Sequence, residues 1–173
     1  MTASGKYYNF FEPQNYTFDI EAMASSLSKL CRWTGNCKEF FSIAQHSVIV
    51  SYLVPPEHAM AGLLHDGIES VMGDCSTPLK LLFPLYKELE YAAEKEMFSQ
   101  FGIPFPMHPS VKQADLVSLA TERRDLMPPC GNWLVLEGVE PMKQTIWPLP
   151  PKQAQELFLK RYYELKALQG TYD

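Results

Sequence analysis

Prolines divide this chain into segments whose apolar residues recur at helical spacing, and this pattern restricts the fold more than any other feature. Fourteen prolines occur in 173 residues, and most of them stand just before or just after such a segment. Apolar residues three and four positions apart share one face of an α-helix, whereas a strand alternates with a period of two. Residues 133–136 are the best candidate for a strand, and they are short. The sequence therefore predicts an all-α protein.

The helix candidates have recognisable starts and stops. Asp19 is the expected N-cap of the first helix, and Ser42 with Gln45 is expected to form a capping box at the second. Pro56 stands at the favoured first position of the third helix, and Gly73 ends it. We expect helices at 19–31, 42–54, 56–72, 84–101, 109–126 and 151–168, with a short helical turn at 76–83 capped by Ser76 or Thr77.

Length and composition are those of one globular domain. Hydrophobic residues make up 46% of the chain and charged residues 20%, which argues against disorder. We therefore expect a helical bundle of about six helices that forms a single domain over 1–173. Residues 1–18 are aromatic and irregular, and we expect them to pack over the body as an N-terminal arm.

Charge and cysteine usage limit the partners and the compartment. The formal net charge is −5, so the basic excess of a nonspecific nucleic-acid binder is missing, and we expect no nucleic-acid polymer as a partner. No run of about 18 apolar residues is long enough to span a membrane. The four cysteines include no C-x-x-C pair, and without a signal peptide we expect a cytoplasmic protein with reduced cysteines.

The stretch from Leu63 to Glu69 carries the clearest chemical signal. His65 and Asp66 are adjacent and follow apolar residues that place this turn against the core. An ionised aspartate removed from water costs several kcal/mol unless it is paired or coordinates a metal. Glu69 follows three residues after Asp66, which on a helix puts it on the neighbouring surface of the same face. It is therefore expected to reach water at a metal without being a ligand.

Two further polar residues lie inside apolar helical patterns. His46 is surrounded by apolar residues in the second helix candidate, and Asp115 occupies a similar place in the fifth. Two imidazoles and two carboxylates suit a catalytic divalent ion that keeps open positions for water. The predicted ligands are His46, His65, Asp66 and Asp115. Asp74 is expected to line the same cleft.

The order of these residues resembles the HD superfamily of metal-dependent phosphohydrolases. The block His65-Asp66-x-x-Glu69-x4-Asp74 is similar to bacterial 5′-deoxynucleotidases (YfbR-like) and to phage dATP triphosphohydrolases (DatZ-type). Further similarity covers most of the chain. It includes the segments Leu30-Cys31-Arg32-Trp33, Phe41-Ser42-Ile43-Ala44-Gln45-His46-Ser47, Gly73-Asp74-x-x-Thr77-Pro78-Leu79-Lys80 and Ala114-Asp115-x4-Ala120-Thr121-Glu122.

The resemblance implies an HD-domain bundle with a divalent metal ion as cofactor, which is zinc, cobalt, manganese or magnesium, and Asp74 would assist catalysis or hold a second metal. Glu69 and Asp74 are then the catalytic candidates. The substrate-binding candidates are Arg32, Trp33, Thr77 and Lys80. Arg32 and Lys80 would hold phosphate, and Trp33 would pack against the sugar and disfavour a ribose hydroxyl. The resemblance also implies a homo-oligomer, and it implies the host cytoplasm if the chain is encoded by a phage.

Three interpretations stay open at this point. One is a nucleotidase that releases phosphate from deoxynucleoside monophosphates. Another is a triphosphohydrolase that releases tripolyphosphate from dNTPs, with dATP favoured. Both reactions cut the same 5′ ester, so the predicted metal ligands do not separate them. The third is a non-catalytic HD module that binds a nucleotide and regulates a partner protein; it is disfavoured because Glu69 and every predicted ligand are present.

Overall fold

A computed structural model describes residues 1–169 of the chain, so the last four residues of the predicted domain lie outside the described part. The prediction of an all-α bundle is confirmed, because within residues 1–169 the extended pairing is limited to an isolated bridge between Cys31 and Ser42. The helices are α1 (Ile20–Leu27), α2 (Ile43–Leu53), α3 (Ala59–Leu64), α4 (Glu69–Met72), α5 (Thr77–Lys80), α6 (Pro84–Gln100), α7 (Pro109–Leu126) and α8 (Pro151–Gln169). Short 3₁₀ turns occur at Pro13–Asn15, Arg32–Gly35, Pro56–His58 and Leu134–Leu136.

Helix α2 is the centre of the bundle. It packs against α3, α7 and α8, and α8 also covers α1 and α3. Most of its residues are buried, including polar ones such as His46 and Ser47. A helix enclosed on nearly all sides has no solvated face, so any polar side chain on it needs a partner inside the protein. This burial is what makes α2 suitable for holding a functional histidine in one orientation.

The third predicted helix, 56–72, is interrupted in the structure, and the prediction of one continuous helix is wrong. Helix α3 ends at Leu64, tight turns follow through Ile68, and α4 then runs to Gly73, whose φ of 79° ends it. Gly67 lies in the break, where its amide donates to the Leu64 carbonyl oxygen. A Cβ at Gly67 would lie 2.9 Å from that same oxygen and equally close to Met23 and Met97. The break therefore depends on a residue without a side chain.

Other local expectations are only partly met. Asp19 caps α1 as predicted, but α1 ends at Leu27 and not near residue 31. Ser42 accepts the Gln45 amide, whereas the Gln45 side chain bonds Trp147 and Leu149, so the reciprocal half of the capping box is not made. No side-chain cap is made at Ser76, and the strand candidate 133–136 contains a 3₁₀ turn. The Gln45 side chain bonds a distant segment in place of its capping partner, and a local turn forms where the strand was considered.

The N-terminal segment combines buried and exposed aromatic residues. Tyr16 and Phe18 belong to the main core, and Tyr8 contacts Tyr16 edge to face with a centroid distance of 5.1 Å. The Gln100 side chain of α6 ties the segment down by bonding the backbone at both Tyr16 and Phe18. Among residues 1–169, no helix has both the length and the apolar content that a membrane span requires.

Candidate metal centre

Three parts of the chain bring the predicted metal ligands to one place. His46 lies in the middle of α2, and its side chain is fully buried. His65 and Asp66 follow directly after α3, where the break at Gly67 turns the chain away from a straight helical path. Asp115 extends from the second turn of α7, which packs against both α2 and α3.

Three of these side chains form a compact group. The Nε2 atoms of His46 and His65 are 3.2 Å apart. Asp66 Oδ2 is 3.5 Å from the first nitrogen and 3.3 Å from the second. Donors bound about 2.1 Å from one ion at angles of about 90° to 110° are separated by about 3.0 to 3.4 Å. His46, His65 and Asp66 can therefore hold a metal ion, and these three residues are named the metal-binding group.

The hydrogen bonds of the two imidazoles direct their other nitrogens toward this point. His65 Nδ1 donates to the Gly62 carbonyl oxygen at 2.9 Å. His46 Nδ1 donates to Glu122 Oε1 at 2.7 Å. Because a carbonyl and a carboxylate only accept, both Nδ1 atoms carry the proton, and in the neutral rings both Nε2 atoms present lone pairs. Two lone pairs facing each other at 3.2 Å repel, and either a metal ion between them or a proton on one Nε2 removes this repulsion.

Glu122 connects the histidine to two predicted substrate-binding residues. Its carboxylate is fully buried and accepts from His46, Ser118, Arg32 and Trp33, with the last two donating at 2.8 Å and 3.1 Å. Burial opposes ionisation, but Arg32 and His46 outweigh it and hold the pKa of Glu122 below its ordinary value. The pKa of His46 is in turn raised to about 9, because the carboxylates of Glu122 and Asp115 outweigh burial and the charge of Arg32.

Asp115 lies at the edge of the group. Its Oδ1 is 3.4 Å from His46 Nε2, while its Oδ2 accepts from Lys112 at 2.7 Å. Despite burial, the hydrogen bond and charge of His46 hold the pKa of Asp115 well below its usual range. Asp66 shows the same effect, since His65, His46 and Arg32 outweigh its burial. Both carboxyl groups are therefore ionised, as a metal ligand must be.

Glu69 and Asp74, the two catalytic candidates, lie beside this group, and their pKa values are raised where those of Asp66 and Asp115 are lowered. Burial first, and then the charges of Asp66 and Asp74, raise the pKa of Glu69 well above its usual range. Its Oε2 is buried and has no hydrogen-bond partner within residues 1–169. Burial likewise raises the pKa of Asp74, with Asp66 adding to the effect while Arg32 opposes it. An unpaired buried carboxyl oxygen requires a donor, such as a water or a ligand group.

The predicted substrate-binding residues divide into two pairs. Arg32 and Trp33 both bond Glu122, and Arg32 Nη1 is also 3.4 Å from Asp66 Oδ2. Trp33 itself has a φ of 61°, which is rare outside glycine. Lys80 pairs with Glu90, and Thr77 is exposed at the start of α5. The structure therefore brings Arg32 and Trp33 to the metal-binding group, while Lys80 and Thr77 lie on the segment that follows Asp74.

Sequence reasoning missed the roles of Glu122, Ser118 and Glu94. Ser118 and Glu122 share a helical face with Asp115, at spacings of three and seven residues, so this periodicity was the available signal. Glu94 on α6 was not singled out, although Glu90 four residues earlier lies on the same helical face, because its burial depends on segments distant in sequence. Its pKa is raised to about 7 by burial and then by Glu90, with smaller effects from Lys80, Asp66 and His65.

The fold and this group define a class, that of an α-helical protein with a buried His-His-Asp centre able to bind a metal ion. The chain is 40% identical over 169 residues to the uncharacterized protein YfdR of Escherichia coli K12, covering 96% of this chain and 95% of YfdR. It is also 30% identical over 137 residues to the uncharacterized protein RCAP_rcc00048 of Rhodobacter capsulatus, covering 71% and 70% of the two chains. No protein-family model matches. The chain belongs to the family of YfdR.

Proposed function

We propose that this protein is an HD-type phosphohydrolase that uses a divalent ion to hydrolyse the 5′ phosphate ester of deoxynucleotides. The observation that carries the proposal is the pair of imidazoles with Nε2 atoms 3.2 Å apart and both Nδ1 atoms already bonded. Because protein acceptors already use both Nδ1 atoms, both Nε2 atoms face the same point as the Asp66 carboxylate, where a metal ion fits. The unpaired oxygen of Glu69 beside the same group supports a role in handling water.

Asp115 completes the proposed donor set as a fourth ligand, since its Oδ1 is already 3.4 Å from His46 Nε2. Two nitrogens and two carboxylate oxygens fit zinc, cobalt or manganese, and magnesium is compatible with the carboxylates. When bound, such an ion supplies Lewis-acid polarisation of the phosphoryl oxygen and makes water more acidic.

The remaining chemistry is assigned to side chains of the protein. Glu69 orients the attacking water and accepts its proton, and Asp74 assists from the neighbouring position. Arg32 is held by Glu122 and extends toward Asp66, so it is placed to neutralise a phosphate next to the proposed metal. Thr77 and Lys80 follow Asp74 in the chain and would contact phosphates farther from the scissile bond. The positive charges of Arg32 and Lys80 would favour an anionic substrate.

Trp33 is the proposed determinant of sugar preference. Its Nε1 is committed to Glu122 and its ring packs on Trp133 with centroids 5.1 Å apart, so the ring is held in one orientation. A fixed ring against C2′ of the sugar leaves no space and no hydrogen-bond partner for a ribose hydroxyl. Deoxynucleotides are therefore preferred over ribonucleotides.

The homo-oligomer implied by the resemblance remains a prediction.

Product chromatography with dAMP, AMP, dATP and ATP tests the proposal. Purified protein supplied with Mn²⁺ or Co²⁺ is expected to release a deoxynucleoside, accompanied by phosphate from the monophosphate or tripolyphosphate from the triphosphate. The His65→Ala variant is the inactive control. Equal rates on deoxy and ribo substrates would reject the role of Trp33. Nucleotide binding without turnover by the metal-loaded protein would reject the hydrolase and favour a regulatory nucleotide-binding module.

A further inference from the structure

A cavity of about 400 Å³ lies beside the C-terminal half of α7, away from the residues of the metal-binding group. Its walls come from α7, from the segment that follows α7 and from Lys38. The apolar part of the lining includes Met127, Pro128, Leu136 and Val139. Volumes of about 300 to 1,000 Å³ are typical of pockets for small organic ligands.

The cationic side chains at this cavity are unequally occupied. Arg124 is fully used, because it forms two hydrogen bonds to the Asp125 carboxylate and two more to backbone carbonyl oxygens. Lys38 makes a single long contact of 3.4 Å to the Asp125 carbonyl oxygen. Arg123 donates through Nη2 to the Gly131 carbonyl oxygen at 2.9 Å, whereas its Nε is buried without a partner among residues 1–169.

Arg123 and Lys38 therefore line the cavity with positive charge, of which only that of Lys38 is partly offset by a carboxylate, that of Asp125. Among the ion pairs of residues 1–169, none includes either residue. The Arg123 guanidinium is held in place, because it lies 5.5 Å from the centroid of the Trp133 ring. Its Nε is enclosed by protein, so an anion in the cavity would pair with the remaining N–H groups of the same guanidinium, of which only Nη2 has a protein acceptor in the described part of the chain.

We infer that this cavity binds a small organic anion, with its charged group between Arg123 and Lys38 and an apolar body against Met127 and Leu136. Arginine presents N–H groups in a planar fork that suits phosphate, carboxylate and sulfonate oxygens. The mixed lining favours a ligand with both parts, since an inorganic anion would leave the apolar wall uncovered and a neutral apolar molecule would leave the charges unpaired.

This inference does not rest on the proposed hydrolase activity. The cavity shares no lining residue with the predicted metal ligands or with Glu69 and Asp74. It is nevertheless connected to the metal-binding group through ring contacts, since Trp133 contacts both Arg123 and Trp33, and Trp33 bonds Glu122. Binding is therefore measured directly and without turnover, so failure of the hydrolase proposal and failure of this one are separate results.

Calorimetric titration of the purified protein with naphthalene-2-sulfonate, an anion with an apolar body, tests the inference. The neutral analogue 2-naphthalenemethanol is the ligand control. We expect the sulfonate to bind at one site and the alcohol to bind about tenfold more weakly or not at all, because hydrogen bonds to charged groups contribute about 1.5 to 3 kcal/mol. Absence of sulfonate binding, or equal affinity for the two compounds, would overturn the inference.

Two variants and a matched control assign the binding to this cavity. Arg123→Gln and Lys38→Gln are each expected to weaken sulfonate binding by about tenfold, whereas Lys152→Gln removes an exposed charge from α8 and should change nothing. Because the Lys38 side chain is exposed, its variant is expected to fold even if loss of Arg123 disturbs the loop that it supports. Unchanged binding in Lys38→Gln would place the anion elsewhere and overturn the inference.

Discussion

Glu122 has more influence on the metal-binding group than its place in the sequence indicates. It is fully buried, yet its two oxygens accept four hydrogen bonds from three different segments of the chain. One of them sets which nitrogen of His46 is free for a metal. Carboxylates that orient a metal-binding histidine in this way typically affect metal affinity by about 10- to 100-fold.

We therefore expect Glu122→Gln to lower affinity for Zn²⁺ or Co²⁺ by about 10- to 100-fold. The amide keeps the shape of the side chain but removes the charge that orients His46 and Arg32. Competition with a chelating dye measures the affinity. Ser118→Ala is the comparison, because it removes a neutral hydroxyl that contacts both His46 and Glu122 but leaves the carboxylate, and it should have a much smaller effect. Equal affinities in Glu122→Gln and the parent would mean that His46 is not oriented through Glu122.

Glu69 is expected to act on water and not on the metal. Its Oε2 has no partner in the described chain, and its spacing from Asp66 leaves it beside the proposed ligands. Glu69→Gln should keep the bound metal and lose activity by about 10²- to 10⁴-fold, which is the usual contribution of a positioned acid or base. Steady-state rates measured together with metal content decide the matter.

The exposed Glu88→Gln on α6 is the control for Glu69→Gln, and it should retain parental rates. Activity close to the parental level in Glu69→Gln would reject the catalytic role. Loss of metal in the same variant would make Glu69 a ligand.

At the scale of elements, the break between α3 and α4 is what presents His65 and Asp66 together. A straight helix from 56 to 72 would keep Asp66 within a regular hydrogen-bond ladder. Instead, Gly67 and Glu69 close tight turns onto Leu64 and Asp66. Met23 of α1 and Met97 of α6 approach this turn so closely that a Cβ at Gly67 would lie 2.9 Å from each of their side chains.

Gly67→Ala is expected to destabilise the protein by about 1 to 3 kcal/mol, which is the typical cost of inserting a methyl group into a packed interior. Affinity for the proposed metal should fall as well, because His65 and Asp66 directly precede Gly67 in this turn. Chemical denaturation measures the free energy of unfolding. Gly131→Ala is a matched control, since a Cβ there meets nothing within 4 Å. If both variants were equally stable, the close packing around Gly67 would be unimportant for the fold.

At the scale of the whole molecule, a metal ion would join α2, the α3–α4 break and α7. A ligand that binds only the folded state stabilises it by about 2.7 kcal/mol at 100 times its Kd. For a chain of this length that corresponds to a rise in Tm of roughly 5 to 10 °C. Removing metal with a chelator should lower Tm by this amount, and adding Zn²⁺ or Co²⁺ should restore it.

Variants of two histidines test whether that stabilisation comes from the proposed site. His65→Ala should melt at the same temperature with and without metal. His58→Ala should behave as the parent, because His58 stacks on His108 and takes no part in the metal-binding group. A metal-dependent Tm in His65→Ala would locate the stabilising ion elsewhere.

The stabilisation should also depend on pH. In the metal-free protein the pKa of His46 is raised from 6.5 to about 9. A group with a raised folded-state pKa contributes its full stability below the unfolded pKa and loses it as pH rises through the folded one. The metal-free protein should therefore lose stability between about pH 6.5 and 9. The difference in Tm between metal-bound and metal-free protein should widen over this interval, and a constant difference would contradict the protonation of His46.

The sequence by itself determined the class of fold and the chemical types at the candidate site. Helical periodicity and proline positions are local properties, so they predicted α6, α7 and α8 almost to the residue. The Asp19 cap is also local, and it predicted the start of α1. Adjacent His65 and Asp66 against an apolar turn indicated a buried pair that needs a counter-charge. These inferences depend on neighbours within a few positions, and such neighbours can be read from a single chain.

Only the tertiary structure decided what depends on distant partners. The helix predicted through residue 72 breaks at Gly67, where a Cβ would approach Met23 and Met97 of distant segments too closely. The Gln45 side chain does not complete the capping box because it bonds the backbone carbonyl of Trp147 and the backbone amide of Leu149. Glu122 became recognisable as a central residue only once α7 lay against α2, because its partners are up to 90 positions away in sequence. Packing between remote segments determines these contacts, and no local pattern records them.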